Sequence, residues 1–232
     1  MNKAFTLAEV LITIGIIGVV AAFTLPALIG THQEKATVAK LKKIYSTMAQ
    51  AYLSASEEYG GSIDTWDLGS AIGNYNPDGN DKLAKSFAKY LDVNKFCGSE
   101  LYNNCWRGVT YHLSGRYFET PNANRHSKMI LKDGTLLAFY RDNCVTYTCG
   151  GFYVKLHNKN NNNILCRDVF YFKIRKEGIL PFTIPIDGEF STFCRKDNSR
   201  GCAGWVIYNE NMDYLHCEGL SWNGAKRCKD LR

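Results

Sequence analysis

A chain of 232 residues is long enough for one domain plus an accessory segment, and 45% hydrophobic with 13% aromatic content excludes a disordered tail. The net charge of +6 is modest and spread along the chain, so charge alone assigns no partner. No internal repeat stands out, which excludes a solenoid.

The first element is the apolar run from Phe5 to Ile29. It is long enough to cross a bilayer as a helix and carries a single ionisable side chain, Glu9. Three readings compete: a removable secretory signal, a plain transmembrane anchor, and a helix that is an anchor first and a packing element later. Val20-Ala21-Ala22 has the small residues of a signal cleavage site, but the apolar run continues through Phe23 and Leu25 to Ile29. A plain anchor explains the length and leaves Glu9 unexplained, because a carboxylate inside a membrane helix is costly and marks a specific partner.

Lys3-Ala4 followed by Phe5-Thr6-Leu7-Ala8-Glu9-Val10-Leu11 resembles the N-terminus of type IV prepilins and type II secretion pseudopilins. The resemblance spans residues 3–29 and rests on Phe5, Glu9, Pro26 and the unbroken apolar run together. It implies that residues 1–4 are a leader, that a prepilin peptidase cuts between Ala4 and Phe5, and that Phe5 is then methylated. Ala4 departs from the usual Gly of the family. Glu9 becomes the assembly glutamate, and in a bundle of offset helices its carboxylate neutralises the Phe5 amine of a neighbour, which removes the cost of two buried charges and sets register. The implied partners are other pilin or pseudopilin subunits and the inner-membrane assembly platform. The implied location is the cytoplasmic membrane, single-pass, with the C-terminal domain extracytoplasmic, and then the pilus or pseudopilus.

Lys35, Lys40, Lys42 and Lys43 lie just beyond the apolar run, on the side where the positive-inside bias disfavours them if the amino end stays cytoplasmic. The family resolves the conflict through the basic leader, which holds the amino end inside until it is cut. Within the run, Pro26 removes a backbone hydrogen bond and is expected to kink the helix, while Gly15 and Gly18 lower helix propensity or permit close helix packing.

After Ile29 the pattern turns amphipathic. Val38, Leu41, Tyr45, Met48, Tyr52, Ala55 and Tyr59 step by three and four, which places them on one face of a continuing helix. That face is expected to lie against a sheet, with Lys40, Lys43 and Glu57 outward and Gly60-Gly61 as the stop. Further on, Asn80-Asp81 reads as the cap of a short helix carrying Leu83, Phe87 and Leu91. Residues 129–140 read as a hairpin turning at Asp133-Gly134. Gly151 to Leu156 and Val169 to Ile174 read as strands, and Lys176-Glu177-Gly178 turns the chain again. The predicted architecture is α+β and pilin-like. A long N-terminal helix, membrane-spanning in its first half and amphipathic in its second, packs on an antiparallel meander of about four strands. Residues 5–29 form the membrane or filament-core helix, 30–232 the globular domain, and a disulfide-rich lobe closes the C-terminus.

All nine cysteines follow residue 96, as an oxidising compartment would favour. None forms a C-x-x-C spacing, so metal binding is the weaker reading. Neighbours are the expected partners, Cys97 with Cys105, Cys144 with Cys149, Cys194 with Cys202 and Cys217 with Cys228, although connectivity is not set by spacing alone. Cys166 is left over, as a buried thiol or an intermolecular link.

An enzyme is not expected. His32, His112, His126, His157 and His216 form no metalloprotease pair, and neither a nucleophile elbow nor a phosphate-binding glycine loop is present. No cofactor and no metal are expected. The run from His157 to Asn163, with Asp168 beyond it, corresponds to the calcium loop of major pseudopilins but supplies mostly neutral amide oxygens. Nucleic-acid binding is the minority reading. Lys173, Arg175, Lys176, Arg195, Lys196, Arg200, Lys226, Arg227, Lys229 and Arg232 form a basic stripe that acidic residues interrupt.

Overall fold

A single helix, α1 (Leu7–Tyr59), carries both the apolar run and the amphipathic stretch that follows it. In the computed structural model, the residues described are 6–69, 77–100, 105–118, 125–144, 148–157, 163–183, 193–195 and 198–231. Pro26 lies within α1, and the helix continues through it although the ring removes one backbone donor. The helix ends where Gly60 turns into the left-handed region at φ 77°, and its N–H closes onto the Ser56 carbonyl at 3.1 Å. A residue with a Cβ is disfavoured there.

Six strands form one antiparallel sheet: β1 (Val93–Gly98), β4 (Ser127–Leu131), β5 (Leu136–Arg141), β6 (Thr148–Lys155), β8 (Val169–Arg175) and β9 (Gly178–Pro181), in that spatial order. The hairpin between β4 and β5 turns at Gly134, φ 81°, and the Leu131 N–H donates to the Thr135 carbonyl. Three short strands beside the main sheet were not expected. β2 (Thr110–Tyr111) and β3 (Tyr117–Phe118), with β7 (Asn163–Ile164) running parallel to β2, make a small side sheet. β1 was also unexpected. Its register shifts twice against β4, and two neighbours, Asn94 and Lys95, both face solvent, so V-N-K-F-C-G shows no alternation to read.

The sheet is covered on both faces. The amphipathic half of α1 and a shorter helix, α2 (Pro77–Ala88), lie on one face. There Leu41, Met48, Tyr52 and Phe87 meet Met129, Leu137, Phe139, Phe152, Phe170 and Phe172. Rings continue across the strands, with Phe139 to Phe152 and Phe152 to Phe172 at 5.3 Å and Tyr45 stacked on Phe172 at 5.9 Å. The intervening positions of the same strands, Leu136, Ala138, Tyr153 and Tyr171, point to the other face and pack with Cys105, Trp106 and Leu165. Alternate residues serve opposite faces of a pleated sheet, so β6 and β8 read as nearly continuous apolar runs.

The helical stripe contains more than the predicted set. Ile44 and Ala51 are buried beside Val38, Leu41, Met48, Tyr52 and Ala55, whereas Tyr45 and Tyr59 are half-buried at its margins. Lys43 and Glu57 point outward. Lys40 does not: its Nζ reaches the end of β6, donating to the Leu156 carbonyl at 2.6 Å. A long methylene stem lets a residue beside the apolar face bring its ammonium to a strand-end carbonyl. Asn80 is also not a cap. It lies inside α2, buried, where its amide donates to the Arg125 carbonyl and accepts from the Arg141 N–H, tying the helix to the ends of β4 and β5. An amide can satisfy both backbone groups at once, which a cap at a solvated helix end cannot.

The tail forms a β10 (Cys194–Arg195) and β11 (Asn198–Ser199) hairpin and then α3 (Cys202–Asn209). α3 has no counterpart among the elements expected from the sequence, because C-A-G-W-V-I-Y-N has the aromatic and β-branched content of a strand. Its residues Ala203 and Val206 join the main core, while Trp205 faces the tail and lies tilted against Trp222, 5.2 Å between ring centres. Burial on two sides overrides the local preference.

Candidate functional site

No described residue covers the apolar half of α1. Leu7, Leu11, Ile14, Ile17, Phe23 and Leu28 are all exposed, Phe23 at 81%, and the most apolar window of the helix has no part buried. Exposing this much aliphatic surface to water would be costly, since a side chain of this size contributes about 1.5–3 kcal/mol when buried. The segment is long and apolar enough to cross a membrane.

Glu9 lies in the first turn of that helix. Its carboxylate accepts from the Thr6 N–H and the Thr6 hydroxyl, each at 2.8 Å, while the Thr6 hydroxyl accepts from the Glu9 N–H at 3.3 Å. This reciprocal pair is a capping box, and it satisfies donors that the helix start leaves open. Thr6-x-x-Glu9 is the local signature of that box and could have been read from the sequence. Ala4 and Phe5 lie outside the described residues.

Polar contacts fix the exit of α1 onto the body. The Glu34 carboxylate meets the His216 imidazole at 2.7 Å, Lys42 pairs with Glu210, and Lys40 approaches Asp133 at 3.9 Å. Asp133 is held below the usual carboxylate range by bonds from Thr135 and by nearby Lys40 and Lys43, against the opposing effect of its burial. Farther along, Tyr52 donates to the Lys176 carbonyl at 2.7 Å, and Lys89 pairs with Glu58. Surface pairs of this kind are individually weak, but several along one helix orient it.

Bridges join Cys97 to Cys105, Cys144 to Cys149 and Cys217 to Cys228. Cys166 is not set apart. It meets Cys202 at a Cα separation of 5.3 Å, and Cys194 also meets Cys202, at 5.1 Å. Cys202 lies 36 residues beyond Cys166, and the packing of its helix against the sheet, not spacing along the chain, brings the two together.

Four basic residues of the predicted stripe are engaged locally. Lys226 folds back onto the Trp222 carbonyl and lies 5.8 Å from the Trp222 ring centre; Arg227 is 3.8 Å from Asp213; Lys173 sits over Phe182 at 4.4 Å and Lys176 pairs with Asp64. Residues 158–162 of the asparagine run, Lys196 and Arg232 lie outside the described residues, as does the side chain of Arg195. Asp168 accepts from the Ile164 N–H at 2.9 Å, and Asn163 donates to the Arg107 and Val109 carbonyls.

An uncovered apolar helix carrying one glutamate, continuous with a disulfide-bridged α+β body, defines the class of the molecule. The chain belongs to a family of unknown function, DUF6613, whose model matches residues 27–217. The match covers most of the body and leaves out most of the apolar helix and the last 15 residues. Comparison with curated proteins and with solved structures returned no similar protein in either set.

Proposed function

We propose that the chain is a structural subunit of a type IV pilus or type II secretion pseudopilus, made as a single-pass protein of the cytoplasmic membrane with its C-terminal body outside. Prepilin peptidase removes residues 1–4, and the mature subunit assembles through α1 with other pilin-like subunits at the inner-membrane platform. The reading rests on one observation: residues 7–29 form an uncovered apolar helix that runs without interruption into the half packed on the sheet. A lipid bilayer or a bundle of like helices would each cover that surface. The resemblance of residues 3–29 to prepilins adds the processing site and the role of Glu9.

Mass spectrometry of the mature N-terminus tests processing. A methylated Phe5 is expected, and an intact Met1 or a start near Phe23 would sink the proposal. Glu9→Ala tests assembly: with the peptidase present, loss of fibres and retention of a folded body are expected, and normal fibre yield would remove Glu9 from the mechanism.

A second reading, a membrane-anchored extracytoplasmic binding domain that never polymerises, is favoured by the capping box. There Glu9 is already satisfied by Thr6, so the anchor needs no neighbour's amine. Fibres recovered with this chain in them decide between the two.

A further inference from the structure

Three sulfurs meet at one point in the body. Cys166 closes the turn between β7 and β8, Cys194 lies in β10, and Cys202 opens α3. Their Sγ atoms lie within 4.8 Å of one another. Cys202 is within bridging geometry of both others, with Cα separations that suit an unstrained disulfide in either case. A cysteine sulfur holds one disulfide at a time, and nine cysteines leave one unpaired within the chain.

We propose that Cys166, Cys194 and Cys202 form an internal thiol–disulfide exchange centre in which Cys202 alternates between two partners and the displaced sulfur emerges as a thiol at Cys194. In the forward step the Cys166 thiolate attacks Cys202 Sγ of the Cys194–Cys202 bridge. The Cys166–Cys202 bond forms, the Cys194–Cys202 bond breaks, and Cys194 leaves as the thiolate. The proton lost by Cys166 ends on Cys194, and no net oxidation occurs. Charge that develops over the three sulfurs lies at the first residue of α3, the end at which a helix dipole favours an anion.

The two ends of the exchange differ in access. Cys166 is 1% exposed, with the Tyr214 hydroxyl donating to its carbonyl at 2.7 Å, whereas Cys194 is only half-buried beside Trp205 and Trp222. A thiol at Cys166 is shielded, and one at Cys194 is within reach of a small disulfide or electrophile. The centre also changes what α3 is fastened to. One bridge ties it to the sheet, the other to the β10–β11 hairpin.

The test uses the full chain extracted in detergent. One sample is acid-quenched, denatured and labelled with N-ethylmaleimide, then digested without reduction and mapped by mass spectrometry. Both bridges are expected, with about one label per chain divided between Cys166 and Cys194. A second sample is labelled while folded at neutral pH, which should draw the population toward labelled Cys194 and raise the ratio of Cys166–Cys202 to Cys194–Cys202 at least five-fold. Cys194→Ser should carry only the Cys166–Cys202 bridge, and Cys166→Ser only the Cys194–Cys202 bridge, each without a reactive thiol. A single bridge with its label fixed on one residue in the quenched wild type overturns the proposal, whatever the variants do. So do three free thiols, with or without a bound metal. The pairs Cys97–Cys105, Cys144–Cys149 and Cys217–Cys228 report separately on the oxidising compartment, so their reduction would count against export itself.

Discussion

His126 precedes β4 with its ring edge-on to Tyr140 and Tyr153, at 5.7 and 5.6 Å between centres. Its Nδ1 is shielded from solvent and has no hydrogen-bond partner among the described residues. Burial, with Lys128 and Arg125 adding to it, pushes the imidazole down to about 3. The unfolded chain therefore takes up a proton below about pH 6.5 that the folded protein refuses, so stability falls as pH drops from 6.5 toward 3 and is unaffected above that window. His126→Phe keeps the ring contacts and removes the proton. Between pH 6.5 and 4.5 the variant is expected to lose less stability than the wild type, by on the order of 1–2 kcal/mol. Denaturant titrations at the two pH values measure this, and parallel losses would mean that His126 is protonated in place. Lys155 shows the same burial acting on an ammonium. It lies against Trp106, donates to the Arg107 carbonyl at 2.6 Å, and is pushed down to about 8.

At the scale of elements, α3 depends on a glycine. The Gly204 N–H donates to the Phe182 carbonyl at 3.1 Å, and a Cβ at this position would land on the Thr183 carbonyl. The helix therefore approaches backbone, which cannot move aside as a side chain could. Gly204→Ala is expected to cost about 1–3 kcal/mol, the range for overpacking a close contact, even though Ala favours helix locally. Urea unfolding of the wild type and variant checks it. An unchanged or raised midpoint would show that α3 does not rest on residues 182–183.

Over the whole molecule, core and apolar helix are separable. The buried stripe of α1 begins at Val38, beyond the uncovered run, so a chain lacking residues 1–29 is expected to fold without detergent and keep its near-ultraviolet aromatic signal. Aggregation of that shortened chain, with its signal lost, would mean that the apolar half supports the body. The same protein should unfold more readily after reduction. Opening the Cys217–Cys228 loop alone, with both residues changed to Ser, is expected to cost about 2–3 kcal/mol by the loop-entropy relation. The shift in denaturation midpoint measures it.

What the sequence determined by itself was whatever depends on neighbours along the chain. The apolar run, the three-and-four spacing of Val38 to Ala55, the Asp133-Gly134 turn and the strands at Gly151 and Val169 follow from periods and turn chemistry that act within a few residues. The Thr6-x-x-Glu9 cap belongs with these and was legible. Only the tertiary structure decided where Lys40 and Asn80 point, that C-A-G-W-V-I-Y-N is helical, and that Cys166 shares Cys202 with Cys194. Each of these depends on surfaces far apart in the chain being pressed together. Burial on two faces of one sheet then outweighs local preference, and residues 36 apart come to lie within reach of one bond.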